Sequence, residues 1–112
     1  MIGGNKNAII QTKTSSKNEY GAITDSWQDV TTIKGFLDFT GGDASYNSSY
    51  KCKLEETTHI FICDYNEVAR QATPTTSRLI IDNEVYEVLM IDDPMDLHKH
   101  LEFMLKYNEV IK

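Results

Sequence analysis

Arg78-Leu79-Ile80-Ile81-Asp82-Asn83-Glu84-Val85-Tyr86-Glu87-Val88-Leu89-Met90-Ile91 sets the architecture. Two aliphatic, β-branched runs flank Asp82-Asn83, and Asp and Asn tolerate the left-handed backbone of a two-residue turn, so this stretch reads as a tight β-hairpin. On either side the apolar residues again fall in short runs separated by turn-rich stretches, the pattern of an all-β domain. Upstream, Thr57 to Tyr65 forms a strand that is apolar on both faces at Ile60-Phe61-Ile62 and is expected to be central in its sheet. A polar segment from Asn66 to Ser77, carrying Pro74, joins it to the hairpin. An earlier strand spans Trp27 to Phe39, with Gly35 inside it suggesting a bulge or bend. The first strand is Ala8 to Lys13, followed by a polar loop from Thr14 that ends near Asp25-Ser26.

Downstream, Asp92-Asp93-Pro94-Met95-Asp96 reads as a turn, and the last apolar run is two-sided. Leu101, Phe103, Leu105 and Tyr107 alternate strictly with polar or longer neighbours, which is strand periodicity. Leu97, Leu101, Met104 and Leu105 also make a helical stripe, with Asp96 as its N-cap. The alternation favours a strand. The expectation is an all-β, mainly antiparallel fold: a small single-domain β-barrel covering 1–112, with a long loop after the second strand.

That loop is Thr40 to Leu54, rich in Gly, Ser and Asn and nearly free of aliphatic residues. It offers little to a core, and connections of such length in a small domain are usually functional or disordered. Tyr46, Tyr50, Lys51 and Lys53 within it are the one aromatic–basic mixture that resembles a platform for single-stranded nucleic acid. Asp43, Glu55 and Glu56 flank that mixture and weaken it.

The 112 residues suit one domain, and 40% hydrophobic and 25% charged residues are ordinary for a soluble protein. Eleven basic against seventeen acidic residues give a net charge of −6, which argues against a module whose main task is coating nucleic acid. No apolar run reaches the roughly 18 residues of a membrane helix, and Met1-Ile2-Gly3-Gly4-Asn5 has neither a signal h-region nor a myristoylation motif. Cys52 and Cys63 form no CxxC pair and read as free thiols of an intracellular protein, Cys63 as a small buried hydrophobe.

Candidates for chemistry are few. His98, His100 and Glu102 share a strand face and could invite a metal, but they are equally the polar side of a strand whose other side is Leu101, Phe103 and Leu105. Asp92, Asp93 and Asp96 lack the spacing of a calcium loop. His59 and Cys63 lie four residues apart on one strand, roughly 13 Å, too far for a nucleophile–base pair. Nucleotide-loop, nucleophile-elbow and zinc-helix motifs do not occur. The expectation is a protein with no catalytic residues, no cofactor and no metal.

Several stretches resemble the phage head-tail joining family, the head-closure or stopper proteins. They are Asn18-Glu19-Tyr20-Gly21-Ala22-Ile23-Thr24-Asp25-Ser26-Trp27-Gln28-Asp29-Val30, Thr58-His59-Ile60-Phe61-Ile62, Arg78 to Val88, and Asp92 to Leu97 followed by Leu101 to Lys106. The marker positions are Gly21, Trp27, Val30, Tyr86 and Pro94, and the order and spacing match over nearly the whole chain. The resemblance implies a small β-barrel that assembles with itself as a ring below the portal-bound adaptor protein. The ring retains packaged double-stranded DNA until ejection and offers the tail proteins a docking surface. It implies a place in the virion neck, reached from the host cytoplasm during assembly, with no membrane partner.

In stopper members the loop after the second strand closes the channel, and here that position holds Gly41, Gly42, Asp43, Tyr46, Asn47, Tyr50, Lys51 and Lys53. The paired glycines would supply a hinge and the tyrosines contact area between subunits. A tail-terminator or tail-completion protein is the near alternative. A small barrel that binds a protein or single-stranded nucleic acid is the more distant one.

Overall fold

The fold was obtained as a computed structural model, which describes residues 2–39 and 57–110. Six strands are present among the described residues: β1 (Lys6–Lys17), β2 (Ile23–Phe39), β3 (His59–Asp64), β4 (Ser77–Ile81), β5 (Glu84–Asp92) and β6 (His100–Val110). They close into a barrel in the order β1-β2-β3-β6-β5-β4, with every neighbouring pair antiparallel. The all-β barrel expected from the alternating pattern is therefore present.

Alternate residues of each strand fill the interior. Ala8, Ile10, Phe61, Leu79, Leu101, Phe103 and Leu105 are fully buried there. Phe61 and Phe103 meet edge to face, centroids 6.4 Å apart, at their own register pair on β3 and β6. Cys63 is free and buried in the same core. Burial, with the Asp64 carboxylate nearby, pushes its thiol up to about 12, so it stays protonated and behaves as an apolar side chain.

The β4–β5 hairpin turns through Asp82 and Asn83 at φ 52° and 64°, the left-handed pair required by a tight two-residue turn. Lys6 Nζ pairs with Asp82 at 2.5 Å and ties β1 to that turn. The final run is a strand and no helix starts at Asp96: period-two burial of Leu101, Phe103 and Leu105 against β3 and β5 outweighs the helical stripe. β3 pairs with β2 and β6, but in a closed barrel every strand has two neighbours and none is central.

Three expectations change. The stretch from Thr14 to Ser26 is no loop: β1 and β2 continue pairing as far as Lys17↔Ile23, beyond the last β1–β4 pair, Thr12↔Ser77. Hydroxyl side chains, which show no apolar alternation, hold this arm through cross-strand contacts: Thr14 to Ser26 at 2.9 Å and Ser15 Oγ donating to Asp25 at 2.6 Å. Gly35 marks no bulge. The register slips at Val30 instead, which has no partner between the pairs Ile10↔Thr31 and Gln11↔Asp29. Gly35 is needed for close approach, since a Cβ there would overlap the Ile62 carbonyl and lie 2.9 Å from Cys63 Cβ. Finally, the polar segment after β3 contains a one-turn helix, α1 (Glu67–Arg70), capped by Asn66 Oδ1, which accepts from Ala69 N at 3.0 Å.

Candidate functional site

β2 ends at Phe39 and β3 begins at His59, and those two residues are register partners. The intervening chain thus leaves and re-enters the barrel at one point. Gly41, Gly42, Asp43, Tyr46, Asn47, Tyr50, Lys51 and Lys53, the positions assigned to a channel plug, lie in that interval, outside the described residues, as does Cys52.

An aromatic cluster surrounds the exit point. His59 stands edge-on to Phe39 and to Tyr86, with ring centroids 5.2 and 5.1 Å away, and Tyr107 joins Tyr86 at 5.5 Å. Phe39 is 70% exposed whereas Tyr86 is only 2% exposed, so the cluster runs from core to surface. Desolvation pulls the His59 pKa down, against the pull of Glu84 and Asp38, so the ring sits neutral among apolar neighbours. His59 Nδ1 and Thr58 Oγ1 are 2.9 Å apart, and Thr58 Oγ1 also accepts from Tyr107 N at 2.8 Å. Tyr86 donates its hydroxyl to Glu84 at 3.0 Å. Burial and that carboxylate push the phenol's pKa up, so it remains a donor.

Away from this mouth, the arm has two unlike faces because side chains alternate along each strand. One face carries hydroxyls at Thr14, Ser16, Thr24 and Ser26. The other pairs Lys13 with Trp27, Ser15 with Asp25 and Lys17 with Ile23. At its base the Arg78 guanidinium lies 4.1 Å from the Trp27 ring centroid, and Arg78 Nε donates to Gln11 at 2.8 Å. Gly21, at φ 83°, forms the arm's tip, where Asn18 Oδ1 accepts from Tyr20 N and Ala22 N, both at 2.9 Å.

A third cluster lies in the β5–β6 connection. The Asp93 side chain is 2% exposed and accepts from His98 N at 3.0 Å; the same carboxylate bonds the His98 ring and has Arg70 Nε at 3.8 Å. Burial opposes its charge, but the two His98 hydrogen bonds, with His98 and Arg70 as charges, outweigh burial and hold the carboxyl below its ordinary range. Asp93, Asp96 and His98 bring potential metal ligands within 4.8 Å of one another. Arg70 already supplies a cation there, and the geometry does the work of a turn lock: Met95, Asp96 and His98 all have φ near 55°. The trio His98, His100 and Glu102 does not converge, because His98 turns to Asp93 while His100 pairs with Glu102 at 3.1 Å.

The marker residues are dispersed. Tyr86 belongs to the mouth cluster, Trp27 and Gly21 to the arm, Val30 to the bulge at the arm's base and Pro94 to the turn that begins the Asp93 lock. Sequence reading missed the mouth cluster around His59. Its signal was present: an aromatic or His residue in each of β2, β3, β5 and β6, at Phe39, His59, Tyr86 and Tyr107.

The sequence matches the model of the family described as phage head completion protein over residues 4–107. In fold it is similar to protein SF1141 from Shigella flexneri 2a, whose solution structure superposes with a TM-score of 0.71. That likeness spans 95% of this chain and 94% of the other at 17% identity, and so concerns the fold alone. No curated protein matches the sequence.

Proposed function

The chain belongs to the phage head completion protein family, a structural family of the virion, and from that membership we propose that it closes the filled head at the head-tail connector. In this reading the chain acts as a single domain and copies of it form a ring below the portal-bound adaptor. The ring holds packaged double-stranded DNA in place, opens at ejection and gives the tail its docking surface. The protein enters the ring from the host cytoplasm during assembly and ends in the virion neck. It has no catalytic task.

The observation that carries this reading is the family match across residues 4–107, and the barrel's construction supports it. The interior is filled by Phe61, Phe103, Leu105 and their neighbours, so DNA would pass between subunits at a ring centre and never through one barrel. A net charge of −6 per copy gives such a collar a negative wall, which lets DNA slide without sticking. Phe39 and His59 pair at one point of the barrel, so the segment holding Gly41, Gly42, Asp43, Tyr46, Asn47, Tyr50, Lys51 and Lys53 can act as a plug that moves while its anchor stays fixed. Tyr46 and Tyr50 would meet the same residues of neighbouring copies.

Replacing 41–53 with a short Gly-Ser linker tests the plug. The barrel's thermal unfolding should be unchanged while heads carrying the variant lose their DNA. Heads that keep their DNA would defeat the plug assignment, and heads that never bind the intact protein would defeat head closure itself.

A further inference from the structure

The outer surface of the barrel is not uniformly polar. Across β2, β3, β6 and β5 two register rows lie on the outside, since their in-between neighbours Phe61, Leu101, Phe103 and Leu105 point into the core. One row is Phe36, Ile62, Glu102 and Asp92; the next is Asp38, Ile60, Met104 and Met90. The two rows hold five apolar side chains and three carboxylates, and no Lys or Arg. Phe36 is 44% exposed, Ile60, Ile62 and Met90 are half-buried, and Met104 is buried beneath them. Contiguous apolar side chains on the outside of a barrel, rimmed by carboxylates, suit a contact surface.

The arm carries the complementary face. Its outer side presents Lys13, Lys17, Ile23 and Trp27, with Asp25 already neutralised by Lys13 at 3.4 Å. Ile23 is 68% and Tyr20, at the tip, 86% exposed. From Lys13 to Lys17 this face is roughly 14 Å long, and four adjacent strands are also roughly 14 Å across. The arm is the extension of β1 and β2, whereas the patch runs from the far end of β2 across β3 and β6 to β5, so the donor and acceptor faces are different parts of one subunit.

We propose that copies of this chain join head to tail, the Lys13–Lys17–Ile23–Trp27 face of one copy's arm lying across the Phe36–Ile60–Ile62 face of the next. The arm's apolar residues cover the patch, and Lys17, since Lys13 is held by Asp25 and Glu102 by His100, meets the Asp38 and Asp92 carboxylates. Such a contact is heterologous, and a fixed rotation between copies closes it into a ring. The proposal rests on the head-completion reading and names the surfaces by which its ring would form.

The test uses the full chain bound to DNA-filled heads. Ile23→Cys and Ile62→Cys are combined with Cys52→Ser, leaving the buried Cys63 in place, and a short thiol cross-linker is added. A ladder of multimers in the double-cysteine chain, absent from either single-cysteine chain, is the expected result. A chain that binds heads yet gives no ladder overturns the arm contact and leaves head closure standing. A wild-type chain that binds no heads overturns both. Independently, Lys17→Glu and Asp38→Lys, both at exposed positions, should each lower the amount of head-bound protein about tenfold by setting like charges together, and should restore it when combined. Unchanged binding in the single variants, or no restoration in the double variant, overturns the contact.

Discussion

The imidazole of His59 stands edge-on to the ring of Tyr86, 5.1 Å between centroids, where β2 releases the chain and β3 takes it back. Desolvation lowers the His59 pKa below 6.5, so near that pH the unfolded chain binds more protons than the folded one. Stability then rises with pH across this window. It is fully present above 6.5 and declines as pH falls from 6.5 toward the lower folded value. Urea midpoints at about pH 7.5 and about pH 5.5 should therefore differ in the wild type, and less so in His59→Phe, which keeps the aromatic contacts. Equal pH dependence in the two proteins would refute the assignment.

Gly35 is a position at which the smallest side chain is already too large. A Cβ would overlap the Ile62 carbonyl and lie 2.9 Å from Cys63 Cβ. Neither obstacle is the flexible end of a side chain, so Gly35→Ala must push β2 from β3. A loss of about 1–3 kcal/mol is expected, as for other overpacked sites, read as a drop in thermal midpoint of several degrees. At Gly21 the backbone is left-handed but the space around it is open, so Gly21→Ala should cost only about 1 kcal/mol.

The contrast between these glycines shows what the sequence could disclose. The β4–β5 hairpin and β6 were legible because each has an apolar period of two that ends at a residue able to turn. Gly35 announced something special inside a strand, but the reason depends on how near β3 comes, which no local pattern contains. The arm was illegible as strand because Thr14, Ser15, Ser16 and Ser26 bury nothing; cross-strand hydrogen bonds order it. In α1 one helical turn is too short for periodicity. Apolar residues on both faces of β3 suggest a central strand, a distinction that a closed barrel does not make. Their other consequence, an apolar patch outside the barrel, appears only when Phe36 and Met90 are placed beside Ile60 and Ile62.

At the β4–β5 turn, Asn83 holds φ 64°. A β-branched residue pays the full steric penalty in that region, whereas Gly pays none. Asn83→Val should destabilise by about 1–2 kcal/mol, and Asn83→Gly should be neutral or slightly stabilising. Chemical denaturation of the two variants side by side checks the order; a Val variant as stable as the Gly variant would contradict the left-handed turn.

The arm is separable from the barrel. Beyond Thr12↔Ser77 neither of its strands has a second neighbour, and an isolated two-stranded ribbon is marginal in water. Its hydrogen bonds and the Lys13–Asp25 pair are exposed, so each contributes little. Removing 14–26 and joining Lys13 to Trp27 through Asn-Gly keeps the Lys13↔Trp27 pair, the Trp27–Arg78 stack and the Val30 bulge. The shortened chain should fold with stability within about 1 kcal/mol of the parent, measured by urea unfolding. It should nonetheless fail to build up on heads, because Lys17 and Ile23, half of the face that would bridge to the next copy, are gone. Loss of folding would mean that the arm stabilises the barrel, and full assembly without the arm would place the contact between subunits elsewhere.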